Sequence, residues 1–134
     1  MKRVYIASPF RGASKEETRQ NIVYARLCLL DSLERGEAPY ASHLLYTQVW
    51  SEHRRTDGLS AGDAWRESAE FVALYFDLGI SGGMKRAEMK AAHRGTSCGY
   101  RRVSVVNGKE APLTPEAWRD LLATLPLDGF PELQ

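Results

Sequence analysis

A run of six consecutive apolar residues, 71–76 (FVALYF), lies near the middle of the chain and ends at Asp77. Its length is typical of a strand, and it contains the aromatic and β-branched residues that strands favour. A strand that is apolar on both faces must be covered on both faces, as the central strands of parallel sheets are. The run therefore predicts the centre of a parallel sheet with helices packed on either side.

Predicted strands and helices alternate along the rest of the chain. The first strand covers residues 3–7, and Ser14 with Glu17 forms a capping box for a helix that ends at Arg35 and Gly36. The remaining predictions are a strand at 40–42, a helix at 43–50 capped by Ser42, a loop at 52–58, helices at 60–68 and 84–94, a strand at 100–106, and a last helix that Thr114 caps with Pro115 in its first turn. This order predicts an α/β fold: a single-domain, Rossmann-like (flavodoxin-like) parallel sheet of about four to five strands.

Composition limits the number of domains and the classes of partner. With 134 residues, 43% of them hydrophobic, the chain is expected to form one domain over 1–134, with a core at about 3–125 and a short loose tail after Pro126. A net charge of +1 argues against broad electrostatic capture of nucleic acid or of an anionic membrane, and we expect neither a membrane nor a sequence-specific nucleic acid as partner. Cys28 and Cys98 have no metal-ligand spacing, and no signal peptide or long apolar run is found. We therefore expect a cytoplasmic protein with no metal and no cofactor.

Two loops are expected to carry the function, because ligands of open parallel sheets bind beyond the carboxyl ends of the strands. Residues 8–12 (SPFRG) supply a hydroxyl, a guanidinium and backbone amides beside a helix start, a combination that suits a phosphate. Residues 77–83 supply a carboxylate, Ser81 and glycines that allow a ligand to approach the backbone closely. Neither loop matches the dinucleotide-binding or P-loop patterns. The alternative is that both are ordinary turns.

His43 follows the second predicted strand and is therefore expected at the same rim, where it is a candidate catalytic residue. The alternative is a hydrogen-bonded structural histidine. Phe10 lies inside the first loop, where its ring can stack on a base. Arg54 and Arg55 are expected to be exposed charge. The full set of predicted ligand-binding residues is Tyr5, Ser8, Pro9, Phe10, Arg11, Gly12, Gly79, Ser81, Gly83 and Met84.

Four segments carry a resemblance to a known superfamily: residues 4–12 (VYIASPFRG), 41–48 (ASHLLYTQ), 70–75 (EFVALY) and 77–84 (DLGISGGM). The chain resembles the nucleoside 2-deoxyribosyltransferases and nucleotide N-glycosidases, and more closely an uncharacterised branch of that superfamily common in bacteriophages. The resemblance covers about residues 3 to 106. It implies that a nucleoside or nucleotide lies over the first loop.

The resemblance also implies two catalytic carboxylates. Asp77 matches the aspartate that assists proton transfer to the leaving base. The family glutamate, which attacks the anomeric carbon, is usually four residues after a turn glycine, and counting from Gly83 that position is Ala87. Glu88 is one residue late, and on a helix one residue rotates a side chain by about 100°. Glu88 is therefore either a candidate nucleophile or a solvent-facing residue.

The leading hypothesis is an enzyme that hydrolyses or transfers at the N-glycosidic bond of a nucleoside or nucleotide, with Asp77, Glu88 and His43 as catalytic residues. The alternative is a non-catalytic nucleotide-binding protein, such as a phage sponge that sequesters a signalling nucleotide. A vestigial pocket in a structural oligomer is a third possibility. We also expect a homo-oligomer, because family members often complete the site with a neighbour's residues and because Leu44, Val49 and Trp50 are apolar near the rim.

Overall fold

The computed structural model describes residues 1–49 and 51–127. Its parallel sheet has the order β2-β1-β3-β4, formed by β1 (Arg3–Ala7), β2 (Ala38–Tyr40), β3 (Phe71–Tyr75) and β4 (Ser97–Arg101). The helices of the described chain are α1 (Lys15–Glu34), α2 (Ser42–Leu45), α3 (Arg55–Glu67), α4 (Gly82–Arg94) and α5 (Pro115–Thr124). The predicted Rossmann-like α/β fold is confirmed.

The two faces of the sheet carry separate apolar clusters. Alternate residues such as Ile6 and Tyr75 face α1 and α5, whose largest buried contribution is Trp118. On the opposite face, residues such as Val72 and Leu74 pack against α4. Burying each large apolar side chain stabilises the fold by about 1.5–3 kcal/mol. As the apolar run predicted, β3 is central and covered on both faces.

Local signals determine where the long helices begin and end. Ser14 caps α1 by accepting a hydrogen bond from the Glu17 amide, at 3.1 Å, and Thr114 caps α5 in the same way through the Ala117 amide. Gly95, with φ of 74°, ends α4 in the left-handed conformation. The Ser14 and Thr114 caps are confirmed, but the capping box predicted at α1 is only half formed, because the described hydrogen bonds include none from the Ser14 amide to the Glu17 carboxylate.

The prediction of a strand at 100–106 is wrong in its position. α4 ends at Arg94, as predicted, and β4 follows it closely, beginning at Ser97 and ending at Arg101. After β4 the chain forms an antiparallel hairpin of two short strands, β5 (Val105–Val106) and β6 (Lys109–Glu110). Asn107 and Gly108, with φ of 51° and 77°, supply the two positive φ angles that such a tight turn requires.

The region between β2 and β3 is more helical than expected. The predicted loop at 52–58 is wrong, because a 3₁₀ turn at Glu52–Arg54 leads directly into α3. Only Gly62 and Arg66 of α3 are buried, so the helix has little apolar periodicity to detect. The predicted helix at 43–50 is α-helical only over α2 and continues as a 3₁₀ turn at Tyr46–Gln48.

Two smaller predictions in these regions are also wrong. Ser42 is the first residue of α2 rather than its cap, and its hydroxyl binds the Tyr5 hydroxyl instead. Gly82 and Gly83 form the first turn of α4 rather than a flexible turn before it. Residue 50, where a helix was predicted to end, and 128–134, most of the predicted tail, lie outside the described residues. Across the described chain, no helix combines the length and apolarity that crossing a membrane requires.

Candidate functional site

A cavity of about 540 Å³ opens at the carboxyl end of β1, between the loop that follows this strand and the helices α2, α3 and α4. The size is in the range of small-molecule sites, about 300–1,000 Å³. Eight of the sequence-predicted residues line it: Tyr5, Ser8, Phe10, Arg11, His43, Ser81, Gly83 and Met84. The structure thus brings residues of both predicted loops, together with His43, to one cavity.

Three predicted binding residues do not line this cavity: Pro9, Gly12 and Gly79. The Gly12 amide donates to Thr18 Oγ1 at 2.9 Å, and a Cβ at Gly12 would lie 2.6 Å from the Glu17 side chain. Gly79, with φ of 101°, donates its amide to the Phe76 carbonyl in a turn. Both glycines therefore shape the loops rather than the cavity wall.

Ser8 and His43 form a hydrogen-bonded pair in the wall. Ser8 Oγ and His43 Nε2 are 2.8 Å apart, and the Phe10 ring meets the imidazole edge to face, with centroids 6.3 Å apart. Burial of the imidazole lowers the pKa of His43 to about 4. The ring is therefore neutral at neutral pH, with one nitrogen bound to Ser8, and it can act as a hydrogen-bond partner for a ligand.

Tyr5, Ser42 and Gly62 hold α2 and α3 together at the base of the cavity. The Tyr5 and Ser42 hydroxyl oxygens are 2.6 Å apart, and burial raises the pKa of the phenol. Gly62 packs so closely that a Cβ there would lie 2.8 Å from Ser42 Oγ. Glycine at this position lets α3 approach the start of α2, which determines how residues on α3 reach the cavity.

The cavity wall contains an ionic cluster that was not predicted from the sequence. Asp63 on α3 accepts hydrogen bonds from Arg66 Nη1 at 2.6 Å and from Lys90 Nζ on α4 at 2.9 Å. Burial would raise the pKa of Asp63, but the hydrogen bonds from Lys90 and Arg66 outweigh it and hold the pKa below its usual range. Arg66 is 7% exposed, and its guanidinium lies 6.0 Å from the centroid of the Tyr5 ring.

Three further arginines line the cavity: Arg11, Arg55 and Arg86. Arg54 and Arg55 are both exposed, as predicted, but Arg55 also lines the cavity, whereas Arg54 pairs with Asp57 outside it. In the described part of the chain, none of the three cavity arginines has a hydrogen bond or ion pair through its guanidinium. The cavity residues therefore include five cations and one carboxylate, Asp63, so the site is electropositive.

The first turn of α4 forms another part of the wall. Ser81 caps the helix through the Met84 amide at 3.2 Å, and the adjacent Gly82 and Gly83 are exposed. The amides of a first helical turn carry a partial positive charge that favours anions. No acidic side chain lies in this turn, although α1, α3 and α5 each have one there.

Asp77 does not line the cavity. It is 3% exposed, and its Oδ2 accepts hydrogen bonds from the Tyr24 hydroxyl at 2.6 Å and from the Val103 amide at 3.0 Å. Along an extended chain, alternate residues face the same side of a sheet, so Asp77 follows Tyr75 toward α1 and away from the cavity. It joins the end of β3 to α1 and to the segment after β4.

Glu88 also lies outside the cavity wall. Ala87 lines the cavity, whereas the Glu88 carboxylate is near Tyr100 on β4, where its proximity raises the pKa of the phenol. The one-residue displacement thus corresponds to a change of helix face. In the described residues, no group of three or more histidine, cysteine or acidic side chains is arranged to hold a metal ion.

The fold and the site together define a Rossmann-like protein with an electropositive cavity at the carboxyl edge of its sheet. The chain belongs to the family described as Domain of unknown function (DUF7768), whose model matches residues 2–101. The matched segment spans β1 to β4 and includes every residue that lines the cavity. Comparison with curated proteins finds no match, and neither does comparison with solved structures.

Proposed function

We propose that this protein binds a nucleotide or a related phosphorylated nucleoside in the cavity and holds it without breaking the N-glycosidic bond. The observation that carries the proposal is the composition of the wall: five cations, a neutral Ser8–His43 pair and the Phe10 ring, with Ala87 where the resemblance expects a nucleophile. Cations and the first turn of α4 suit phosphate, and an aromatic ring suits a base.

The enzymatic hypothesis would need two carboxylates at the sugar and the base. Asp77 is buried against α1, and Glu88 faces Tyr100 on β4. Asp63 is the remaining candidate in the cavity, but Arg66 and Lys90 hold both of its oxygens and keep its pKa low. A carboxylate held in this way is a poor general acid and a poor nucleophile. These contacts favour binding over cleavage.

The test is incubation of the protein with nucleosides, nucleoside monophosphates and nucleoside diphosphates of each base, with the free base and the intact ligand both quantified. We expect at least one nucleotide to bind in titration calorimetry and to be recovered intact. Release of free base would contradict the proposal and support the N-glycosidase hypothesis. The failure of every nucleotide to bind would contradict any nucleotide function for the cavity.

Two variants identify the origin of any cleavage. If base release is found and Glu88→Ala abolishes it while binding persists, Glu88 is the nucleophile after all. The converse variant, Ala87→Glu, introduces a carboxylate at a cavity position. We expect Ala87→Glu to weaken binding of a phosphorylated ligand, because it offsets part of the positive charge. Gain of base release would show that one residue separates binding from cleavage.

The expectation of a homo-oligomer remains a proposal. Several large apolar side chains in the segment between β2 and β3 are exposed, among them Val49 at 81%, Leu59 at 51% and Trp65 at 54%, and Leu59 also lines the cavity. Exposed apolar surface of this kind is often covered by a partner. Light scattering over a range of protein concentrations should find a dimer or a larger assembly. A monomer at high concentration would remove the proposal that neighbouring copies share a site.

A further inference from the structure

The positive charge of the cavity indicates how much negative charge the ligand carries, and not only that the ligand contains phosphate. Its five cations come from three separate elements: Arg11 from the loop after β1, Arg55 and Arg66 from α3, and Arg86 and Lys90 from α4. Asp63 is the one carboxylate among the residues described in the wall. A phosphate monoester carries only about −1.5 to −2 at neutral pH, so it would leave part of the positive charge uncompensated.

Arg66 is a buried cation, so the positive charge of the cavity does not come from exposed side chains alone. Its side chain is 8% exposed and its guanidinium lies over the Tyr5 ring, yet the described hydrogen bonds of the guanidinium use Nη1 alone, in the bond to Asp63. Buried charge is unfavourable unless its donors are paired. Asp63 is shared with Lys90, so this single carboxylate compensates two cations. The remaining donors of Arg66 are therefore available to a ligand.

Arg86 provides an independent indication. Its guanidinium folds back over the first turn of α4, where a Cβ built at Gly82 would lie 3.7 Å from Nη1 and a Cβ built at Gly83 would lie 3.8 Å from Nη2. A cation at the positive end of a helix is unfavourable by itself. It becomes favourable when an anion binds the guanidinium and the helix amides together. The pairing of Arg86 with this helix end therefore indicates a site for one anionic group, separate from Arg66.

We infer that the ligand carries a chain of phosphates with about three or four negative charges, as in a nucleoside di- or triphosphate, and not a single phosphate. This inference rests on the proposed function and specifies its ligand class. Cations on three sides of a cavity of about 540 Å³ match a ligand whose charge is spread over several groups. A nucleoside or a monophosphate would contact only part of this surface.

The test uses titration calorimetry without magnesium, so that the phosphates keep their full charge. The probes are adenosine and thymidine with their mono-, di- and triphosphates, together with inorganic phosphate and tripolyphosphate, which carry no base. We expect affinity to rise about tenfold or more with each added phosphate, and tripolyphosphate to bind more tightly than phosphate. The salt dependence of affinity should also be steeper for the triphosphate than for the monophosphate.

Two adjacent arginines provide a matched pair of variants. Arg55 lines the cavity, whereas Arg54 is 67% exposed and pairs with Asp57 outside it. We expect Arg55→Ala to reduce triphosphate affinity about tenfold and to lower the salt dependence, and Arg54→Ala to change neither. Circular dichroism of both variants checks that the fold is retained.

Three results would overturn the inference. A monophosphate that binds as tightly as its triphosphate would overturn it while leaving the proposed nucleotide binding intact. Equal losses in Arg55→Ala and Arg54→Ala would show that affinity reflects net charge and not the cavity. Failure of every nucleotide and of tripolyphosphate to bind would overturn both the inference and the proposed function.

Discussion

Two polar regions lie at the carboxyl edge of the same sheet, and they differ in how their hydrogen-bonding groups are used. On the α1 side, the Asp31 carboxylate accepts from the Tyr75 hydroxyl at 2.7 Å and from the Ser104 amide at 3.2 Å, next to the bonds of Asp77. On the α4 side, the cavity has several cations and one carboxylate. The polar groups of the first region bond mainly to one another, with Asp77 Oδ1 buried without a partner among the described residues, and the second region presents donors to open space.

The difference shows that position at a strand end does not by itself make a polar residue functional. Asp77 and Arg11 both follow strands, but the carboxylate is used to hold α1 and the segment after β4 against β3. Arg11 is exposed at the cavity. A binding group needs donors or acceptors that the fold leaves available, and the cavity side meets this condition. The predictions below test this division between the two regions.

The largest effect is expected for Asp77→Ala. Removing the carboxylate leaves the Tyr24 hydroxyl and the Val103 amide without their acceptor in a buried region, which should lower the free energy of unfolding by about 3–5 kcal/mol. Urea denaturation measures this loss. Glu88→Ala is the control, because Glu88 is partly exposed, and its change should be within about 0.5 kcal/mol.

Opposite results would break the comparison between the two regions. If Asp77→Ala kept the stability of the unmodified chain but lost ligand binding or turnover, the α1 side would be functional. In that case Asp77 would regain the role that the resemblance implies. A stability loss with ligand binding retained at low temperature would instead confirm that Asp77 is structural.

A smaller effect, on binding alone, is expected for Arg11→Ala. The loss of one charge-assisted hydrogen bond to phosphate should weaken nucleotide binding by about 1.5–3 kcal/mol, measured by titration calorimetry. Lys15→Ala is the matched control, since Lys15 is an exposed cation at the start of α1 that does not line the cavity. Unchanged affinity in Arg11→Ala, with the fold intact, would remove Arg11 from the phosphate site.

Gly62→Ala tests how the cavity is positioned. The added Cβ would lie 2.8 Å from Ser42 Oγ, so α2 must shift or the Tyr5–Ser42 bond must break, at about 1–3 kcal/mol of stability. The comparison is Gly83→Ala, whose Cβ meets only the Arg86 guanidinium at 3.8 Å and the Ser81 hydroxyl at 3.9 Å. We expect that change to be neutral or slightly stabilising in thermal denaturation. Equal effects would mean that Gly62 does not control the packing of α3.

Much of the fold follows from local signals in the sequence. The apolar run 71–76 requires cover on both faces, and the Ser14 and Thr114 caps mark two helix starts through their own hydrogen bonds. Asn107–Gly108 is a typical tight hairpin turn directly after the predicted strand at 100–106, but no hairpin was predicted there. The polar helix α3 was underestimated because it buries only two residues.

The cavity residues that were predicted follow strands or lie in the first turn of a helix, whereas most of those that were missed lie further along α3 and α4. Ser8, Phe10 and Arg11 reach the cavity because the loop after β1 must open at the sheet edge. Arg66 and Asp63 have the same i,i+3 spacing as an ordinary surface pair. Their place in the wall depends on the packing of α3 against α2, which is a tertiary property. The strand alternation that turns Asp77 away from the cavity was, by contrast, available from the sequence.

The smallest effect concerns the pH dependence of stability through His43. Its pKa is about 4 in the folded chain, against an ordinary value of 6.5. Between these values the unfolded chain binds more protons than the folded one, so stability is full above about pH 6.5 and falls as the pH decreases toward 4. The expected loss is about 1 kcal/mol between about pH 6.5 and 5, since the ring is partly exposed at the cavity.

The measurement is urea denaturation of the unmodified chain and of His43→Gln at several pH values in this window. Glutamine keeps a hydrogen-bonding group near Ser8 but does not titrate, so the difference between the two pH profiles isolates the imidazole. We expect the variant to lose less stability on acidification, while Asp63 and the other carboxylates with lowered pKa contribute at lower pH in both proteins. Identical profiles would mean that water hydrates the His43 imidazole at the cavity wall. Its pKa would then be that of an ordinary surface histidine, and the neutral pairing with Ser8 would not hold over this pH range.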